Sequence, residues 1–234
     1  MTDERERILA RIREALAVPA PVPGHHPAPA ETPTKTPAPA GSAARQWLPR
    51  VGLSYEEHLD LFRRMATELK ADFQAVDNRE DLARKLIELK DREAWTKAGI
   101  HAGELTDFAA RQLGLPLCRT DAGYGVGDLE SCSVGITECD ALVAQTGSVL
   151  ITSRSAGGRA LSVLPPHHVV LACRDQLLPD LPAAFAFLRQ KYTAGYPSFI
   201  SFITGPSRTG DIERILVLGA HGPRKLTILL LGSR

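Results

Sequence analysis

The chain has 234 residues, 44% of them hydrophobic, enough for one substantial core with a smaller appendage. Its 28 basic and 27 acidic residues give a formal net charge of +1, which excludes a bulk field that would attract nucleic acid or an anionic membrane. No apolar run has the length of a membrane span, and the charged opening Thr2-Asp3-Glu4-Arg5-Glu6-Arg7 lacks the apolar stretch of a secretory signal, so the sequence points to a cytoplasmic protein.

Ile8, Leu9, Ile12, Ala15 and Leu16 recur at helical spacing and predict an amphipathic helix over 1–18. Residues 19–49 then shift to Pro, Ala and Thr, the composition of an extended linker that buries no core. A helix on such a tether either docks back on its own domain or recruits a partner. The main domain, 50–234, opens with Ser54-Tyr55-Glu56-Glu57, the spacing of a capping box, ahead of an apolar helical face of Leu59, Phe62, Met65, Leu69 and Phe73. Asn78 is placed to cap a second helix carrying Leu82, Leu86 and Leu89, and 104–113 reads as a third. Beyond Gly135 the strand density rises. Residues 141–144 and 149–151 predict a hairpin around Gln145-Thr146-Gly147, and strands are expected at 169–171, 199–203, 215–218 and 226–231, with a helix over 178–192. Alternating helices and strands predict an α/β layered fold, and the continuous apolar runs predict central strands covered on both faces.

Nucleotide fingerprints are absent. Gly123-Tyr124-Gly125-Val126-Gly127-Asp128 places Asp where the third glycine belongs, and no Gly-Lys-Ser/Thr occurs. Cys118, Cys132, Cys139 and Cys173 form no Cys-x-x-Cys pair and read as buried reduced thiols. His167 and His168 are adjacent, so on a strand they face opposite ways and do not chelate one ion; no metal site is expected.

The stretch TGPSRTGDIERILVLGAHGP, from Thr204 to Pro223, carries more chemistry. Gly205-Pro206 stops the preceding strand and presents Ser207, Arg208, Thr209 and Asp211 together, and ligands of open α/β sheets tend to bind at the carboxyl ends of strands. Ser207-Arg208-Thr209 reads either as an anion cradle, with guanidinium and hydroxyl donors, or as a cap with Arg208 paired to Asp211. His221 is either a general acid or base or a stabiliser of its own turn. Thr146-Gly147-Ser148 is a tight turn that either approaches a ligand or simply closes a hairpin. Ser155 to Arg159 reads as a loop, with Arg159 a second anion grip if that loop acts as a lid. Glu138 and Asp140 are the nearest acidic groups to the Thr-Gly block.

Three ordered blocks give these segments a family resemblance. Gly135-Ile136-Thr137 with Gln145-Thr146-Gly147, then Pro165-Pro166-His167, then Gly205-Pro206-Ser207-Arg208-Thr209 with Asp211-Ile212-Glu213 and His221-Gly222-Pro223 resemble the LUD (lactate utilisation) domain, and more narrowly the LutC/YkgG family, over roughly 50–232. Family members often carry a carboxylate just before the Thr-Gly pair, where this chain has Gln145, so a carboxylate role there does not transfer. The resemblance implies a single α/β domain like the sugar-phosphate isomerases, glucosamine-phosphate deaminases and CoA transferases (NagB/RpiA-like). It also implies a part in oxidising L-lactate to pyruvate, with no cofactor on this chain and iron-sulfur clusters on partner subunits. On that reading Thr146, Gly147, Ser148, Gly205, Ser207, Arg208 and Thr209 line a crevice for a small carboxylate or phosphate, and His221, Asp211 and Glu138 are the candidate catalytic groups. Two rivals stand beside it, a stand-alone isomerase or acyl/CoA-transfer enzyme and a non-catalytic ligand-binding scaffold; homo-oligomerisation is left open.

Overall fold

The computed structural model describes residues 2–17, 47–209, 217–218 and 222–232, in two units, Met1–Gln46 and Trp47–Arg234. The first unit contains α1, Thr2–Ala17, with Ile8 exposed; most of the expected linker lies outside the described residues.

In the second unit, α2 (Tyr55–Glu68) starts at a complete capping box. The Ser54 hydroxyl accepts the Glu57 N–H at 3.2 Å, and the Glu57 carboxylate accepts the Ser54 N–H at 2.9 Å. Then follow β1 (Asp72–Val76), α3 (Arg79–Arg92, capped by Asn78), β2 (Ala98–Ile100), α4 (Glu104–Leu113) and β3 (Leu117–Arg119). The chain continues through α5 (Val126–Glu130), β4 (Val134–Glu138), β5 (Ala141–Val143), β6 (Ser148–Thr152), β7 (His167–Cys173) and β8 (Leu177–Leu178). It closes with α6 (Leu181–Lys191), β9 (Ile200–Ile203), β10 (Arg208–Thr209), β11 (Val217–Leu218) and β12 (Lys225–Leu231).

Six strands form one sheet in the order β1-β12-β7-β4-β2-β3, with every neighbouring pair parallel. A second sheet, β8-β5-β6-β9, is antiparallel at β5-β6 and β6-β9. The α/β layering expected from the sequence is therefore present, and β7 is buried along its whole length. The 178–192 helix is shorter than expected. Leu178 precedes Pro179, which disfavours helical backbone, and it pairs as a strand instead; α6 begins only after Asp180, whose carboxylate accepts the Ala183 N–H at 2.8 Å.

Each face of the large sheet has its own apolar cover. Leu82, Leu86 and Leu89 of α3 and Leu105 of α4 pack on Ile100, Ile136, Val169 and Leu229. On the other face, Phe62 and Ala66 of α2, with Leu142, Val149 and Ile151 of the second sheet, pack on Val170 and Ile228. The outer side of the second sheet receives Ala184 and Leu188 of α6 against Ala141, Val143 and Leu150. Each fully buried Leu, Ile, Val or Phe side chain among these contributes about 1.5–3 kcal/mol. Gly147 makes the α2 contact possible: its φ is +61°, and a Cβ there would lie 2.6 Å from the Ala66 nitrogen.

Candidate functional site

β9 pairs with β6 antiparallel, from Val149↔Ile203 to Thr152↔Ile200, so its end carries Thr204-Gly205-Pro206-Ser207 over the amino ends of β7 and β12. Gly205, at φ +88°, brings this turn against the end of α2, where a Cβ would meet the Leu69 carbonyl oxygen at 2.6 Å. The Ser207 N–H donates to the Pro223 carbonyl at 2.9 Å, and the Arg224 N–H donates to Pro166 at 2.8 Å. These bonds tie the 204–207 and 222–224 turns to the Pro165-Pro166 entrance of β7. Between them lies a cleft of about 290 Å³ floored by His168 and Leu226, with Ser162, Ser201, Thr204 and Ser207 on its walls.

The polarity of the cleft is specific. His168 is buried, and its Nε2 lies 2.9 Å from the Thr137 hydroxyl. Burial, with a smaller contribution from His167, pushes its pKa down to about 3, so the ring is neutral at pH 7. Arg159 lines the cleft with its guanidinium 5.9 Å from the Phe199 ring centroid, and it forms no ion pair among the described residues. A single unpaired guanidinium, four hydroxyls and a neutral imidazole suit the binding of a small anion.

The expected site residues are distributed unevenly around this cleft. Gly205 and Ser207 line it. Ser148 stands behind it: its hydroxyl donates to Thr146 Oγ1 at 2.8 Å and is bonded to Thr204 Oγ1 at 2.8 Å, so Thr146, Ser148 and Thr204 form a hydroxyl chain ending at the wall. Gly147 faces α2. The Arg208 guanidinium donates to the Thr204 carbonyl at 3.3 Å, within its own turn. Thr209 pairs with Val217 between β10 and β11. Asp211 and His221 lie outside the described residues.

Glu138 is not brought to the cleft. On β4 it is Gly135 that pairs with His168, whereas Glu138 pairs with Leu171 toward the carboxyl end. There its Oε1 accepts the N–H groups of Leu105 at 2.8 Å and Thr106 at 3.3 Å, capping α4. The 204–207 turn follows the carboxyl end of β9, as the sequence predicts, and the cleft beside it lies at the amino ends of β7 and β12 because β9 belongs to the second, antiparallel sheet. His168, Ser162 and Ser201 were not foreseen as lining residues; alternation along β7 was the available signal for His168.

A separate buried network surrounds Asp140. Its carboxylate accepts from Lys191 at 2.6 Å, Tyr192 at 2.7 Å and Ser155 at 2.6 Å. Burial alone would raise its pKa, but these bonds outweigh it and hold the carboxyl below its ordinary value. The four cysteines are buried and form no disulfide among the described residues, and burial first of all pushes the Cys118 thiol up to about 12. Among the described residues, no three His, Cys, Asp or Glu side chains are grouped to hold a metal ion, and no helix is long and apolar enough to cross a membrane.

A model of the LUD domain matches residues 127–231, the part of the chain that contains β4 through β12 and the whole cleft. Over 165 residues, 69% of each chain, the protein is 32% identical to lactate utilization protein C of Halalkalibacterium halodurans. The chain belongs to the LUD-domain family. Within that family it is also 37% identical to lactate utilization protein C of Geobacillus sp. WCH70 over 107 residues, a match that spans 44% of that relative's length. A crystal structure of a DUF162 family protein from Deinococcus radiodurans shares the LUD-domain fold of this chain with a TM-score of 0.61. It is 20% identical, and the match covers 77% of this chain and 100% of that one.

Proposed function

We propose that this LUD-domain protein takes part in lactate utilisation, as a LutC-like subunit working beside iron-sulfur subunits and supplying an anion-binding cleft. The observation that carries the reading is the likeness to lactate utilization protein C across 69% of both chains. The cleft adds chemical support. Arg159 takes the anion-holding role that the sequence suggested for Arg208, the hydroxyls of Ser201, Thr204 and Ser207 complete the cradle, and neutral His168 orients the bound group without competing for its charge. Asp211 and His221 remain the candidates for orienting a ligand or moving a proton. Iron-sulfur clusters belong, in this reading, to partner subunits, with none on this chain. A stand-alone isomerase or CoA-transfer enzyme would need a free carboxylate in the cleft, and Glu138, the candidate for that part, is engaged on α4.

The test is growth on L-lactate after deletion of the gene, followed by complementation with the parent chain and with Arg159→Gln. Loss of growth, rescue by the parent and failure of the variant are expected. Undiminished growth of the deletion strain would remove the protein from lactate use; full rescue by Arg159→Gln would remove the cleft.

A further inference from the structure

At the same amino-terminal edge of the large sheet, a smaller cavity of about 140 Å³ collects four cations, Lys70, Arg92, Arg224 and Lys225, against two carboxylates, Asp72 and Glu93. Both carboxylates are already engaged. Glu93 is held by Lys225 and by Arg92 at 3.2 Å, and Asp72 lies 3.6 Å from Arg92 and accepts from the Gln74 amide at 3.0 Å. Lys70 and Arg224 have no ion-pair partner among the described residues. The cavity therefore carries an unbalanced positive charge at the edge of a buried core.

Two details separate it from an ordinary surface cluster of ion pairs. Lys70 has φ +68°, in the left-handed region, where it ends α2: its own N–H donates to the Thr67 carbonyl and the Ala71 N–H to that of Ala66. Glycine is the favoured residue at such a helix end, and a lysine there costs about 1 kcal/mol. His167 is the second. It lines the cavity, is 4% exposed and meets the Thr227 hydroxyl through Nε2 at 2.9 Å, yet its Nδ1 has no hydrogen-bond partner. A buried polar atom left unpaired costs about 1–3 kcal/mol. A strained lysine at the rim and an excess of positive charge beside a buried histidine mark this cavity as a place for an anion.

We propose that this cavity binds one small oxyanion, a phosphate or a carboxylate group, gripped by Lys70 and Arg224 beside His167. The volume admits one such group and no nucleotide. The site is distinct from the Arg159 cleft and does not depend on the lactate reading.

Calorimetric titration of the full chain at low ionic strength, with inorganic phosphate and with acetate, tests it. Saturable binding of one of them is expected, and the tighter ligand tells phosphate from carboxylate. Arg224→Gln and Lys70→Gly should each weaken binding about tenfold, the loss of one charge-assisted contact. Lys70→Gly should at the same time raise Tm, since it relieves the left-handed strain, and this combination separates a ligand-holding lysine from a structural one. Ala94→Gly, at the other non-glycine residue of positive φ among the described residues, should leave binding unchanged. The titrations are run in the Arg159→Gln background, which removes the guanidinium of the larger cleft; loss of all saturable binding in that background would place the anion in the larger cleft and overturn the proposal. Absence of saturable binding by either anion, or parental affinity in both Lys70→Gly and Arg224→Gln, would overturn it as well.

Discussion

His167 and His168 follow one another in β7, yet their imidazoles serve opposite faces of the sheet. His167 meets Thr227 through Nε2 and stands edge-on to Trp95, with ring centroids 5.3 Å apart. His168 meets Thr137 and floors the cleft. Strand alternation imposes this separation, so two residues that look like a chelating pair act as two unrelated buried polar groups.

Both rings are held neutral, which makes the fold sensitive to mild acid. Burial lowers the pKa of His167 to about 4 and that of His168 to about 3, against 6.5 when free. Below pH 6.5 the unfolded chain binds a proton on each histidine, while the native chain binds none until pH approaches 4. Stability is therefore expected to fall as pH drops from 6.5 to 4, by up to about 1.4 kcal/mol per pH unit for each histidine. Urea midpoints measured from pH 7.5 to 4.5 should show this slope, and His168→Gln should reduce it by about half. An unchanged slope in the variant would contradict the burial of a neutral His168. The depressed pKa of Asp140 acts in a lower window: its contribution is present above the ordinary carboxylate value and is lost as pH falls below it.

The Asp140 network joins the start of β5 to the end of α6 and to the loop after β6. Asp140→Ala removes the acceptor of Tyr192 and Ser155, both held at 2.7 Å or less, while the half-exposed Lys191 returns to water. The expected loss is about 3 kcal/mol, most of it from the buried hydroxyls. Tyr192→Phe, which deletes one donor and leaves Asp140 two others, should cost about 1 kcal/mol. Denaturant unfolding of the two variants checks the order. A loss of under about 1 kcal/mol for Asp140→Ala would mean that the network is replaced by water at little cost.

Local chemistry explains what the sequence made legible. The Ser54 capping box, the Asn78 cap, the β5-β6 hairpin and the opposed histidines each depend on residues within a few positions of one another. The position of the cleft does not. It follows from β9 joining β6 in a second sheet, a pairing between residues about fifty positions apart, which carries the Gly205-Ser207 turn to the amino ends of β7 and β12. The sequence favours Arg208 as the anion grip and makes Arg159 a second one only if its loop acts as a lid. Only the three-dimensional arrangement turns Arg159 into the cleft and Arg208 onto the Thr204 carbonyl.

Glu138 shows most directly how an acidic residue near a motif differs from an acid at a site. Its carboxylate lies against the first turn of α4, where free N–H groups and the helix dipole favour negative charge. Gly103 at that helix start has no room for a Cβ beside it, so the carboxylate is closely fitted. The backbone there is fixed separately, because the Glu138 N–H donates to Nε2 of buried His101 at 3.2 Å. Glu138→Ala should therefore lose about 1–2 kcal/mol of stability, the usual loss for a helix cap. The anion binding proposed for the Arg159 cleft, at the other end of β4, should be unaffected. Urea unfolding together with ligand titration of Glu138→Ala and Arg159→Gln separates the two roles. A Glu138→Ala protein of parental stability that no longer binds ligand would return this carboxylate to the site, and would mean that the site extends to the carboxyl ends of the strands.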